Sequence, residues 1–264
     1  MARNRPPSTA PFTRAPVPTV ARALGRWTLW ILAAALALQV FFLLRIALMA
    51  LVDPQSTTFQ RSEFVRMART EGEFGWSQQW VDGDALSDNI KRAVIASEDG
   101  GFFEHNGVEW DAIEKAWARN EQAEQRALEG RSSRPPRIVG GSTITQQLAK
   151  NLLLSGERTF VRKGQELVLA LMLENLLGKR RILEIYLNNV EWGAGIFGAE
   201  AAAQHYFRKS ASQLTAYEAA RLAVMLPNPK RFEKLPNSSY VAGRARTITA
   251  VSYTHLTLPT ILLV

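Results

Sequence analysis

The sequence predicts a mainly α domain behind a single N-terminal transmembrane helix. Three observations carry that prediction. One long apolar run stands near the start, apolar residues farther on recur at helical spacing, and strand signals are scarce, with no alternation of strands and helices. At 264 residues the chain can bury a substantial core, and it has no cysteine, which excludes both a disulfide frame and a thiolate metal site.

The apolar run is WTLWILAAALALQVFFLL, Trp27 to Leu44, broken only by Gln39. Eighteen helical residues span roughly 27 Å, close to a bilayer's hydrocarbon core of about 30 Å. Arg45 interrupts the run before IALMALV carries it to Val52, and an Arg there can snorkel to the outer interface. Residues 1–26 form a basic tail with Arg3, Arg5, Arg14, Arg22 and Arg26 and no acid. The positive-inside rule therefore places the N-terminus in the cytoplasm and everything after Val52 outside. The run is too long for a cleaved signal peptide, and Leu48-Met49-Ala50-Leu51 offers no small-x-small cleavage site, so residues 27–52 read as an uncleaved signal anchor. The first 53 residues hold +5 of the formal net charge of +8, leaving about +3 for the rest. That mild excess suits work beside anionic lipid headgroups, and no nucleic-acid motif is present.

Residues 53–250 read as one mainly α domain. Helices are predicted from about Ser87 to Ser97, from Trp110 to about Gly130, and over 143–154, 160–177, 179–188, 195–207 and 214–226, the last stopped by Pro227 and Pro229. GRSSRPPRIVGG, residues 130–141, holds two prolines and three glycines and reads as a mobile loop. Asp82-Gly83-Asp84 resembles the metal-holding Asp-x-Asp of nucleotide-sugar transferases, but without an α/β sheet a solvated turn is the better reading. VSYTHLTLPTILLV, residues 251–264, switches to β-branched residues and an apolar end, and reads as an atypical, artefactual tail.

Three stretches can carry chemistry. The first is VIASEDGGFFEHNG, residues 94–107: with Ile90 just ahead of it, Ile90, Val94 and Glu98 fall at i, i+4 and i+8, which turns the Glu98 carboxylate toward the apolar face. Apolar surroundings raise a carboxyl pKa and suit it to acid–base work, with Asp99 and His105 close enough to orient it. Alone, the stretch fits a polar helix end equally well. In GGSTITQQLAKN, residues 140–151, Thr143 and Gln146 have capping-box spacing, so a helix start points N–H groups forward, and Gln146, Gln147, Lys150 and Asn151 add donors. That fits a phosphate site or an ordinary capped helix. In FVRKGQELVLALMLENLL, residues 160–177, the centre is apolar on all sides while the first turns carry Arg162, Lys163 and Glu166. Glu166 shares a face with Ala170, Leu173 and Leu177, so it points inward, toward ligands or into an ion-pair network.

With KRRILEIYLNNVEWGAGIFGAEAAAQHYF at 179–207 and LTAYEAARLAVMLPNP at 214–229, these motifs occur in the order and spacing of a known family. From about Leu86 to Ala250 the chain closely resembles the monofunctional biosynthetic peptidoglycan transglycosylases, the family 51 glycosyltransferases also found as the first domain of bifunctional penicillin-binding proteins. The resemblance implies a lysozyme-like, two-lobed fold with a cleft between a large lobe and a smaller membrane-facing one. It implies an inverting hexosyltransferase of a bacterial inner membrane, with the catalytic domain periplasmic. Lipid II would be polymerised into β-1,4-linked glycan strands and undecaprenyl pyrophosphate released. Carried over by motif, Glu98 would deprotonate the acceptor's 4-hydroxyl and Glu166 would assist the donor side. Lys163 with Arg162 would neutralise the departing pyrophosphate, and Asp99, Ser142, Thr143, Gln146, Gln147, Lys150 and Asn151 would bind substrate. A divalent metal, Mg2+ or Mn2+, is implied at the pyrophosphate with no organic cofactor, although the sequence identifies no metal ligands. The growing lipid-linked strand and cell-wall synthesis proteins are the implied partners.

Gly193, Gly195 and Gly198 read as turn formers, and Tyr186, Asn188, Tyr206 and Phe207 as core or supporting residues. The 121–137 segment is longer than this family usually has and reads as a flap over the cleft. The runner-up function is a lysozyme-like lytic enzyme cleaving peptidoglycan, which needs no pyrophosphate cluster. A membrane-anchored scaffold with decayed motifs is opposed by the presence of all the acids.

Overall fold

Capping chemistry marks where several helices begin. In the computed structural model, which describes residues 20–70, 75–129, 141–154 and 159–254, three helices open on complete capping boxes. These are α2 (Thr58–Arg69) at Thr57 and Gln60, α5 (Ile144–Leu153) at Thr143 and Gln146, and α9 (Ala216–Met225) at Thr215 and Glu218. Before them, α1 (Val20–Leu48) is apolar and outward-facing: its Arg22–Leu48 stretch has a mean hydropathy of 2.4 with 11% of its window buried. So little burial separates it from a core helix, and among the described residues it is the one helix long and apolar enough to cross a membrane.

From Leu43 onward the chain forms one compact unit. Its remaining helices are α3 (Asp88–Glu98), α4 (Trp110–Leu128), α6 (Phe160–Leu176), α7 (Lys179–Asn189), α8 (Ala199–Phe207), α10 (Pro229–Phe232) and α11 (Ser239–Thr254). The architecture is mainly α, as predicted. Helix α9 packs between α3 and α11, and α5 packs on α2, α6 and α7. The core follows helical spacing: Ile90 and Val94 on α3, Ile144, Leu148 and Leu152 on α5, and Leu169 and Leu173 on α6 are all buried.

The helix predicted over 195–207 starts later. In its place β3 (Ile196–Phe197) lies between β1 (Ser77–Gln78), parallel to it, and β2 (Glu191–Gly193), antiparallel with a bulge. Gly195 and Gly198 adopt φ of +76° and +85°, which no helix accommodates. A Cβ on Gly198 would stand 2.7 Å from the Asn188 carbonyl, so the close approach of the hairpin to α7 requires glycine. Helices α2, α10 and α11 were not predicted, and Pro229 begins α10 rather than only ending α9. Helix α11 runs four residues into the stretch set apart as a tail; residues 255–264, and residues 130–140 of the loop predicted over 130–141, lie outside the described residues. Asp82-Gly83-Asp84 opens a single-turn 3₁₀ helix over Gly83–Ala85, whose Gly83 N–H donates to Glu184 Oε1 at 2.9 Å.

Candidate active site

Glu98 is the last residue of α3, where burial of Ile90, Val94 and Ile95 turns its side chain inward. Gln147 Nε2, on α5, donates to Glu98 Oε2 at 3.1 Å, and Ser97 Oγ lies 3.5 Å from Oε1. Burial pushes the Glu98 carboxyl above its ordinary value, the Asp99 charge adds to the rise, and the bonds from Gln147 and Ser97 with the Lys150 charge oppose it. Behind Gln147 stands Tyr186 of α7, whose hydroxyl donates to Gln147 Oε1 at 3.0 Å. Burial, with the charges of Glu98 and Asp99, pushes Tyr186 well above its ordinary range, so it remains a donor. Tyr186 thereby fixes which end of the Gln147 amide meets the carboxylate.

The turn after Glu98 is fastened to the start of α5. Asp99 Oδ1 pairs with His105 Nε2 and Asp99 Oδ2 accepts from the Ile144 N–H, both at 2.9 Å, and the acid's side chain is 0% exposed. His105 Nδ1 accepts from the Gly107 N–H at 3.0 Å, so the bonding pattern assigns the ring proton to Nε2, facing Asp99. Thr143 Oγ1 donates to the Gly107 carbonyl at 2.7 Å and accepts from the Gln146 N–H at 3.2 Å. Gly107 has φ +84°, and a Cβ there would meet Glu174 Cγ at 2.8 Å.

These contacts show what three of the expected residues touch within the protein. Asp99, Thr143 and Gln146, expected to bind substrate, are buried, and both Asp99 oxygens, Thr143 Oγ1 and Gln146 Oε1 bond to the protein. Nor does α5 present a bare N-terminus to a phosphate. Of its first three N–H groups, that of Ile144 goes to Asp99 and that of Gln146 to Thr143.

The cationic end comes from α6. Glu166 is 3% exposed, and its two oxygens are taken by Arg162 Nη1 at 3.2 Å and by Lys163 Nζ. Lys163 Nζ also donates to Ser142 Oγ at 3.1 Å, just ahead of α5. A cleft of about 400 Å³ is lined by Gln147, Lys150, Asn151, Arg162, Phe59 and Glu191, among others. It therefore joins the partner of Glu98 to a partner of Glu166. Of the expected residues, Gln147, Lys150, Asn151 and Arg162 line this space, while Glu98 is bonded to Gln147, Glu166 to Arg162, and Lys163 to Glu166 and Ser142.

A transglycosylase family model matches residues 66–252. The chain belongs to the transglycosylase family. Among its relatives, a biosynthetic peptidoglycan transglycosylase of Bordetella pertussis is 53% identical over 197 residues, covering 75% of this chain and 78% of the relative. A protein of the same description from Paraburkholderia phytofirmans is 51% identical over 213 residues, covering 81% and 84%. One from Burkholderia thailandensis is 47% identical over 253 residues, covering 93% and 94%.

Sequence reasoning about this transglycosylase missed two residues. Tyr186 was weighed as core or support, and its hold on Gln147 shows the support to be specific. Glu191, on β2, was not singled out at all. Nothing in NNVEWGAG has a helical or alternating period to reveal that its acid is buried against the cleft. The divalent metal implied by the resemblance finds no ready protein donor set. Among the described residues no three His, Cys, Asp or Glu side chains gather to hold one, and Glu166 is engaged by both cations.

Proposed function

We propose that this chain polymerises lipid II into β-1,4-linked glycan strands and releases undecaprenyl pyrophosphate, working on the outer face of a bacterial cytoplasmic membrane. Helix α1 is the single-pass anchor, with the basic N-terminus on the cytoplasmic side. The observation that carries the reading is one cleft lined by both Gln147, which holds the half-buried Glu98 carboxyl, and Arg162, which Glu166 orders together with Lys163.

The chemistry follows from that placement. The ionised Glu98 takes the proton of the acceptor sugar's 4-hydroxyl as its oxygen attacks the donor's anomeric carbon from the face opposite the diphosphate. The carbon–oxygen bond to the diphosphate breaks, with inversion, and the leaving group gains negative charge. Arg162 and Lys163 meet that charge as it develops, which favours the transition state over the ground state. Glu166 fixes both cations so that they need not reorganise during the step. A divalent metal, Mg2+ or Mn2+, bound with the substrate would add charge neutralisation at the diphosphate, and no step here depends on it. Cleavage of finished glycan, the lytic alternative, gives this cation pair no leaving phosphate to stabilise.

Full-length protein in detergent with lipid II tests the reading. Polymer forms with the wild-type chain, and Glu98→Gln lowers kcat by about 10²- to 10⁴-fold, the contribution of a general base. Because Glu98 is raised, kcat/KM falls with decreasing pH at a point above the ordinary carboxylate value of 4.5. Degradation of preformed glycan without synthesis, or full activity in Glu98→Gln, refutes it.

A further inference from the structure

A third acid lines the cleft, and the chemistry above leaves it without a task. Glu191 on β2 borders the same space as Gln147, Lys150 and Arg162, and its side chain is 8% exposed. Its Oε1 is buried, and the group that meets it is Lys230 Nζ, on α10, in a long ion-pair contact of 3.4 Å. Lys230 is committed elsewhere, donating to Glu63 Oε2 on α2 at 2.6 Å, an oxygen that Arg66 also holds. Around Glu191 therefore stand Glu63 and Arg66 from α2, Lys230 from α10 and Tyr206 from α8. Burial, with the Glu63 charge adding, pushes the Glu191 carboxyl up to about 7 against the pull of Lys230 and Arg66.

An under-bonded buried acid is costly to the fold and calls for a ligand that completes it. A phosphate is not that ligand, because a carboxylate repels it, and Lys150 and Arg162 already supply cations on the same cleft. Glu191 thus suits its stretch of the cleft to an uncharged hydrogen-bond donor. In a glycan strand, such donors are the sugar hydroxyls and acetamido N–H groups. We infer that Glu191 is a further substrate-binding residue, accepting a hydrogen bond from a hydroxyl or acetamido N–H of the saccharide in the cleft. The inference rests on the glycan-polymerising reading and extends it from the reacting atoms to the neutral part of the substrate.

The test uses the full-length chain in detergent with lipid II as substrate. Glu191→Ala raises KM about tenfold with kcat held within about threefold, the loss of one hydrogen bond to an ionisable acceptor. Glu191→Gln keeps an accepting oxygen and stays within about threefold of wild type in KM. Inorganic pyrophosphate, a probe of the cationic end alone, inhibits wild type and Glu191→Ala equally. An unchanged KM in Glu191→Ala, or pyrophosphate inhibition weakened as much as lipid II binding, overturns the inference.

A lipid-free glycan tetrasaccharide provides a readout that does not depend on variants of Glu191. Its affinity, measured in Glu98→Gln so that Glu98 does not titrate, tightens from about pH 6 to about pH 8 as Glu191 ionises and becomes the stronger acceptor. A flat affinity over that range overturns the inference even if Glu191 variants fail to fold. Wild-type protein that binds the tetrasaccharide through Glu191 but makes no polymer supports the contact and refutes the polymerase reading.

Discussion

Replacing Asp99 by Asn separates a brace from a substrate contact. The carboxylate accepts from His105 Nε2 and from the Ile144 N–H, each at 2.9 Å, on a side chain that is 0% exposed. Asparagine offers one accepting oxygen, so its NH₂ must confront either the imidazole N–H or the Ile144 N–H. The ring cannot escape by moving its proton, because Nδ1 faces the Gly107 N–H at 3.0 Å. One buried donor is therefore left facing another donor, at a cost of about 1–3 kcal/mol. For a domain of about 200 residues that lowers Tm by about 3–10 °C. Asp99→Ala strands both donors and roughly doubles the loss. Thermal unfolding of the detergent-solubilised chain, run beside steady-state kinetics, reads both consequences. The brace predicts a lower Tm and a lower kcat with KM little changed, since Glu98 and the start of α5 lose their common fastening. A Tm within about 1 °C of wild type, combined with a raised KM, would refute this and return Asp99 to the substrate.

Three further outcomes follow from the same geometry. Tyr186→Phe frees the Gln147 amide to turn its oxygen toward Glu98; kcat should fall about five- to tenfold, with about 1 kcal/mol of stability lost, as read by steady-state kinetics and denaturant unfolding. Lys163→Met leaves Glu166 with Arg162 alone and removes one cation from the leaving group, so kcat should drop about 10²-fold, while activity near wild type would show that the pair is structural. Glu191 has its folded pKa raised to about 7 from 4.5, so the folded state holds the extra proton between those values and wild-type stability declines as pH rises through about 7. Glu191→Gln never ionises; its Tm advantage over wild type should grow from about pH 5 to about pH 8, reaching about 3–10 °C, and an advantage that shrinks with pH would contradict the assignment.

Local chemistry made the helices of this transglycosylase legible. Thr143 and Gln146 announced the start of α5 because a capping box is a contact between residues three apart. The same signature at Thr57 and Gln60 was open to reading and would have placed α2. The sheet was not legible, because strands of two or three residues are too short to show a period, and only the glycines of 193–198 hinted at a break. The inward turn of Glu98 and Glu166 was legible from helical spacing. What each acid touches was not: Gln147, Tyr186 and Ile144 reach the 98–99 pair from helices 45 to 88 residues away. The bracing contacts of Asp99 were illegible for that reason, since an acid beside Glu98 looks the same in sequence whether it faces a sugar or a backbone N–H.

The start of α5 is the common frame for both halves of the chemistry. Ile144 takes Asp99, Gln147 takes Glu98, and Ser142, immediately before the helix, takes Lys163. Glu98 on α3 and the Arg162–Lys163 pair on α6 are thus referenced to one short stretch, residues 142–147. On the proposed function, such an arrangement would hold a proton acceptor and a charge clamp in fixed relation. Thr143 and Gln146 form the cap within that stretch. The capping box they form sets the position of the residues on either side, so a cap substitution such as Thr143→Ala would disturb the base and the cations together.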